Sequence, residues 1–386
     1  MNRRQFVTIS CGAFAARRGY GQGRKISQAS PRSDSAPDEV LPDKLLLKDY
    51  RPKSIYRIPV TTLTRGRFPI IDVHHHASAR TPEQLDNVVK VMDQADVERT
   101  VAFAGTGAQF NEAYRLYSRH RDRFDMWCGF DLSANDQPGF GPATVKELER
   151  CHDMGARGVG EIVDKGKGLD AGVGTEPASW GLTSTPAGLH ADDPRMDSLF
   201  AKCAELGMPV NIHVSDPVWG YQRQDRFNDG LMNGFRWRLD DKPGLMGHEA
   251  LIGTLERAAE RHPRTLFIAC HFANLDYDLV RLGGILDHHP NIYADISARF
   301  METAAIPRFV GQFYAKYADR LCYGTDMGYT QQMFNTTFRI LESSDEHFYE
   351  GYSYHWPQHG FALPDDVLRK VYRETALKAF SQARRA

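Results

Sequence analysis

The chain has 386 residues, a formal net charge of −1 and an ordinary charged fraction of 25%. That length suits one large core, such as a barrel, or two modest ones. Scattered Lys and Arg argue against a nucleic-acid binder, and no apolar run approaches the roughly 20 residues that span a bilayer. A small molecule is the expected ligand, and a homo-oligomer stays open.

At the N-terminus, Asn2-Arg3-Arg4-Gln5-Phe6 resembles the twin-arginine export signature. A modest apolar stretch over 6–16 follows, and Ala13-Phe14-Ala15 has the small-x-small spacing of a cleavage site. Residues 1–23 are read as an export signal, which places the mature chain in the periplasm or outside the cell. The alternative is an accidental basic start on a cytoplasmic protein, because the apolar region is short and Arg17-Arg18 follow it. Cys11 is not read as a lipidation site, since Thr8-Ile9-Ser10 fit that signal poorly. Cys128, Cys151, Cys203, Cys270 and Cys322 form an odd set without CxxC spacing. That argues against a disulfide framework or a cysteine zinc site, and buried inert thiols are expected.

Residues 24–44, rich in Ser, Pro, Asp, Arg and Lys without periodicity, read as a disordered linker. The domain proper covers 45–386 and opens with an extended arm running to Pro69. Beyond it, strands are predicted at 68–74, 100–104, 125–130, 156–162, 209–214, 265–271, 291–296 and 321–325. Helices are predicted between and after them at 82–95, 112–120, 143–154, 194–206, 249–261, 276–288, 304–318 and 364–380. Gly155, Gly207 and His262-Pro263 supply breakers before strands four, five and six. Strands alternating with helices in this way predict an α/β fold, a (β/α)8 TIM barrel. An open doubly wound sheet would want a Gly-rich phosphate turn after strand one, where His74-His75-His76-Ala77 stands instead. The longest interruption, 215–247, carries Trp219, Tyr221, Phe227, Phe235 and Trp237. It is read as a lid or pocket wall, with a packed surface excursion as the alternative. The aromatic tract 349–356, with His355 and His359, either closes the pocket or packs on the arm.

Strand one, Ile70-Ile71-Asp72-Val73-His74-His75-His76, is an apolar run ending in histidines. Strand side chains alternate with period two, so His74 and His76 point one way and His75 the other. Two neutral imidazoles aimed at one point suit zinc or a similar borderline ion. Barrel active sites lie at the C-terminal strand ends. There the sequence puts Glu161 on strand four, His213 on strand five, His271 on strand six and Asp326 past strand eight. Alternation groups Glu161 with Arg157 and Val159, and an inward arginine would be costly unless paired. The alternative has Glu161 pairing with Arg157 or Lys165 outside the pocket. Arg299, after Asp295-Ile296-Ser297, points toward the same mouth. It either holds a substrate carboxylate through two parallel hydrogen bonds or forms a surface salt bridge.

Together Asp72-x-His74-x-His76, Asn211-Ile212-His213, Cys270-His271-Phe272-Ala273-Asn274, Tyr323-Gly324-Thr325-Asp326 and Leu363-Pro364-Asp365-Asp366-Val367-Leu368 carry a family likeness. Over 45–379 the chain resembles the amidohydrolase superfamily, in its amidohydrolase-related branch of metal-dependent hydrolases and non-oxidative decarboxylases. The resemblance implies a first metal on His74, His76 and Asp326, with His213 a ligand or an electrophile beside it. It makes His271 a second-metal ligand or a catalytic histidine. Many relatives carry a strand-four lysine, sometimes carboxylated to bridge two metals, and Glu161 stands there in this chain. One or two divalent ions, zinc first, are expected. The expected reaction is attack of metal-bound hydroxide on a C–O or C–N bond of a lactone, ester or amide. Asp326 would move the proton and His213 or His271 would polarise the carbonyl. Decarboxylation of an aromatic or unsaturated carboxylate is the runner-up. A non-catalytic secreted binding protein comes last, because it predicts lost ligands and none is lost.

Overall fold

A computed structural model describes residues 41–170, 187–350 and 354–385. The expected export signal and most of the linker lie outside the described residues. The arm is extended and mostly exposed, with one 3-10 turn at Leu47–Asp49. It is pinned to the domain where the Thr61 amide and hydroxyl donate to Asp345 at 2.8 and 2.6 Å. Arg67 adds an ion pair to Asp365 at 2.6 Å.

In chain order the elements are β1 (Ile70–His76), α1 (Pro82–Ala95), β2 (Val97–Phe103), α2 (Gly107–Tyr117), β3 (Phe124–Trp127), α3 (Phe140–Met154) and β4 (Val159–Asp164). Then come α4 (Asp197–Glu205), β5 (Val210–Val214), α5 (Leu231–Gly234), α6 (His248–Arg261), β6 (Phe267–Ala269), α7 (Leu279–His288) and β7 (Ile292–Asp295). The last are α8 (Phe300–Thr303), α9 (Pro307–Tyr317), β8 (Leu321–Cys322), α10 (Gln331–Glu342), α11 (Asp365–Arg369) and α12 (Thr375–Ala383).

Every strand pairing is parallel, in the orders β1-β2-β3 and β4-β5-β6-β7-β8. A parallel bridge between Cys128 and Val159 joins β3 to β4. Val73 N to Tyr323 O at 2.9 Å and Asp326 N to His74 O at 3.0 Å join the β8 end to β1. Among the described residues the two sheets are thereby joined at both sides into a closed ring, as in a (β/α)8 barrel.

Two apolar layers hold it. Inside are Ile71, Val73, Val101, Phe103, Trp127, Ile268 and Tyr293, plugged by Ala376, Ala379 and Phe380 of α12. Between strands and helices lie residues such as Val159, Ile212, Phe267 and Ala294 against Leu148, Leu199, Leu255 and Leu282. A Cβ on Gly158 would come within 2.3 Å of the Trp127 ring, so glycine there makes room for the indole. Helix starts follow local chemistry: Thr81 caps α1 by accepting from Gln84 N, with Pro82 in the first turn.

Several boundaries differ from expectation. The helix expected at 304–318 begins three residues late, as α9 at Pro307, because proline starts a helix but cannot continue one, and a short unforeseen α8 precedes it. The helix expected at 364–380 is α11 and α12 separated by a π turn, and Pro364 is its cap rather than a first-turn residue. The strands expected to end at His271 and Thr325 stop at Ala269 and Cys322, and His271 and Asp326 follow in left-handed conformation. In the 215–247 insertion Trp219, Tyr221 and Trp237 pack against other rings, whereas Phe227 and Phe235 are exposed. The Trp219 ring lies 6.0 Å from Trp237 and 5.7 Å from Trp356, which ties the insertion to the 354–356 segment. No helix among the described residues is long and apolar enough to cross a membrane.

Candidate metal centre

β1 does not alternate strictly. Ile71 and Val73 both face the barrel interior, and strict alternation would send His75 inward after them. A register shift between Asp72 and His75, set against Thr100 and Ala102 of β2, resets the phase. His74 and His76 consequently turn toward the site, while His75 is buried against the Tyr329 ring at 4.4 Å. Burial pushes the His75 imidazole down to about 3, so it packs as a neutral ring. Asp72 anchors the bulge by accepting from His74 N, Thr325 N and Thr325 Oγ1 at 3.0, 3.1 and 2.7 Å.

Glu161 is brought inward by a second irregularity, a register shift between Val159 and Ile162 of β4. The alternation expected to put it on one face with Arg157 is therefore broken, and Arg157 is exposed. Glu161 pairs with neither Arg157 nor Lys165. Its side chain is 7% exposed and reaches four histidines. Oε1 lies 2.9 Å from His213 Nδ1, 3.4 Å from His271 Nε2 and 3.6 Å from His74 Nε2. Oε2 lies 3.3 Å from His76 Nε2. Asp326 faces it across the same histidines, 3.2 Å from His76 Nε2, 3.4 Å from His74 Nε2 and 3.8 Å from His271 Nε2.

The outer nitrogens of two of these rings are held by residues that sequence reasoning did not assign to the site. His74 Nδ1 lies 2.9 Å from the fully buried Asp295. His271 Nδ1 donates to Ser297 O at 3.0 Å. The only sequence signal for either is position, at and just past the end of β7. His271 itself begins four consecutive left-handed residues, His271 to Asn274, with φ between 54° and 59°. Asp295 Oδ1 takes the His271 amide at 2.8 Å and holds this strained turn in place.

The electrostatics suit a cation. Burial opposes the charge of Glu161 and Asp326, yet the facing histidines hold both carboxyls well below their usual range. Burial likewise opposes protonation of His74, and Asp295, Asp326 and Glu161 overcome it. His74 Nε2 is buried with no hydrogen-bond partner among the described residues. Ligand atoms of His74, His76 and Asp326 lie within 4.8 Å of one another, as do those of His74, Glu161, Cys270 and His271. An imidazole whose outer nitrogen is tied and whose inner lone pair faces carboxylates is the usual arrangement of a metal ligand. The residues present therefore fit a divalent ion. Cys270 does not extend the set: burial pushes its thiol well up, and Sγ donates to Asn211 Oδ1 at 2.7 Å.

Arg299 is not the surface residue that one expectation allowed. It is 9% exposed, and Nε and Nη2 both donate to Asn274 Oδ1, at 3.2 and 2.7 Å. Asp276 and Glu302 each lie 3.8 Å from its guanidinium. Tyr354 donates to Glu302 at 2.8 Å, so the 354–356 segment packs against this side of the site rather than on the arm.

The family model described as amidohydrolase matches residues 71–382. Among solved structures, a putative amidohydrolase from Staphylococcus aureus is 14% identical with a TM-score of 0.52, covering 81% of this chain and 100% of that one. An uncharacterised TIM-barrel protein from Bordetella bronchiseptica is 14% identical at a TM-score of 0.52, covering 82% and 99%. A 2,6-dihydroxybenzoate decarboxylase from Rhizobium is 16% identical at 0.48, covering 81% and 98%. The first two are likenesses of fold. No curated protein matches the chain in sequence. With its closed barrel, its histidines and carboxylates gathered at the strand ends, and a model match across most of its length, the chain belongs to the amidohydrolase family, whose members are metal-dependent enzymes.

Proposed function

We propose that this chain is a metal-dependent hydrolase acting on a lactone, ester or amide of a small molecule. Two divalent ions, zinc first, would be held by His74, His76, Glu161, His213, His271 and Asp326. One observation carries the reading: the Glu161 carboxylate reaches His76 with one oxygen and His74, His213 and His271 with the other. A carboxylate shared in this way suits a bridge between two cations.

The chemistry such ions supply when bound is a water acidified to a pKa of roughly 7. The rest falls to the chain. Asp326 is held ionised and its side chain is 23% exposed, so it meets solvent at the mouth. It accepts the proton of the attacking water and returns it to the leaving group. Burial holds His271 below its usual value, which suits a neutral ring that keeps its Nε2 lone pair. Trp219, Tyr354 and Trp356 pack on one another, and Tyr354 reaches Glu302 beside Arg299. Decarboxylation asks for a group that fixes an acid. Arg299, the candidate, already donates to Asn274 Oδ1 and lies 3.8 Å from Asp276 and Glu302, which favours hydrolysis. The twin-arginine-like start supports export of the folded enzyme.

The test is elemental analysis of metal per chain in the wild type and in Glu161→Ala, both purified without chelator. Two ions falling to one or none support the bridged hydrolase. One ion, unchanged in the variant, overturns the bridge, and carbon dioxide release from aromatic carboxylates would then replace hydrolysis. No ion in the wild type overturns the mechanism.

A further inference from the structure

We propose that Asp216, held by Lys165, is a positioning residue that fixes the His213 ring with Nδ1 as its metal-binding nitrogen. The proposal rests on the reading above that His213 is a ligand. β5 ends at Val214, and Ser215 follows with φ 71°, a left-handed conformation that few non-glycine residues adopt. The turn is tied on three sides. Ser215 N donates to Asp164 O at 2.8 Å, and Asn274 Nδ2 donates to the carbonyls of Val214 and Ser215 at 3.1 and 3.3 Å.

The effect of this turn is to fold Asp216 back onto the ring three residues before it. Asp216 is 3% exposed, and its Oδ1 lies 3.3 Å from His213 Nε2. The same oxygen lies 3.2 Å from Lys165 Nζ, which comes from the first residue past β4. Both nitrogens of His213 therefore face carboxylates, Nε2 toward Asp216 and Nδ1 toward Glu161 at 2.9 Å. A neutral imidazole has one N–H, so it satisfies one of these contacts and turns a lone pair to the other. With Nε2–H donated to Asp216, that lone pair is on Nδ1, beside Glu161 and among the other proposed ligands. Lys165 supplies a positive charge that keeps the buried Asp216 an acceptor. A pair serving only to join the loops after β4 and β5 would have no need to share its oxygen with His213.

The experiment measures zinc affinity by competition with a chromophoric chelator, alongside thermal melting of the chelator-stripped protein. The variants are Asp216→Ala, Lys165→Met, the double variant, and the conservative Asp216→Glu. Loss of an outer acceptor of this kind weakens metal binding about 10–100-fold. That loss is expected in Asp216→Ala and in the double variant, which leaves no unpaired charge if the single variant fails to fold. Lys165→Met should lose less, and Asp216→Glu should recover part of the affinity. Wild-type affinity in the Asp216→Ala and double variants, with only the metal-free melting temperature lowered, makes the pair merely structural and overturns the proposal. A wild-type protein that takes up no zinc overturns this proposal and the function above together, whereas equal affinities overturn this one alone.

Discussion

Asp295→Ala and Asp295→Asn should part the folding of the site from its chemistry. Asp295 is fully buried, and Oδ1 accepts from His271 N at 2.8 Å, Ser297 N at 3.1 Å and Ser297 Oγ at 2.5 Å. Oδ2 lies 2.9 Å from His74 Nδ1 and takes Asn211 Nδ2 at 3.3 Å. The Ser297 hydroxyl oxygen, 3.1 Å from His74 Nδ1, can take that ring's proton in place of Asp295, and the Asn211 contact is long. The alanine variant then leaves three buried donors without acceptors, two of them backbone amides. At about 1–3 kcal/mol each the loss is about 3–9 kcal/mol, a large part of the about 5–15 kcal/mol that holds a domain together. Asparagine keeps the shape and an oxygen for the three Oδ1 contacts, but it turns an NH₂ group toward His74 Nδ1. His74 must then carry its proton on Nε2, where the metal would bind. The asparagine variant should lose only about 1–3 kcal/mol yet bind zinc about 10–100-fold more weakly. Urea unfolding of metal-free protein gives the first quantity and chelator competition the second. An alanine variant within about 0.5 kcal/mol of wild type, as an ordinary surface change would be, or an asparagine variant with wild-type affinity, refutes the role given to Asp295.

Three further outcomes follow from the same geometry. His75→Gln should leave the metal content unchanged, whereas His74→Gln and His76→Gln should lower it, since His75 packs on Tyr329 away from the site; elemental analysis decides. Gly158→Ala should cost about 1–3 kcal/mol in urea unfolding through crowding, because its Cβ would sit 2.3 Å from the Trp127 ring. Burial pushes Glu302 up to about 7, so the folded state keeps a proton that the unfolded chain releases above about pH 4.3. Stability should therefore fall as pH rises from about 4.3 through 7, and Glu302→Gln should flatten that fall in urea midpoints compared at about pH 5 and pH 8.

Sequence alone determined the barrel, and the reason is periodicity. Alternating strand and helix patterns of the right length leave few architectures, and the His-rich end of strand one excludes a phosphate turn. It also named His74, His76, Glu161, His213, His271 and Asp326, because polar residues that end apolar runs stand out against the run. The start of α9 at Pro307 is legible too, since proline favours the first helical turn. Other features were settled only by the tertiary structure, because they depend on contacts between strands. The bulges in β1 and β4 that turn His74, His76 and Glu161 inward come from pairing against β2 and β5, which one strand's pattern does not contain. The partners Asp295, Ser297 and Asp216 are ordinary polar residues along the chain, and meet histidines only where strands converge. Arg299 reads the same in sequence whether it waits for a ligand or is already held by Asn274 beside Asp276 and Glu302. Its environment was decided by packing, since the partners of a buried charge are neighbours in space.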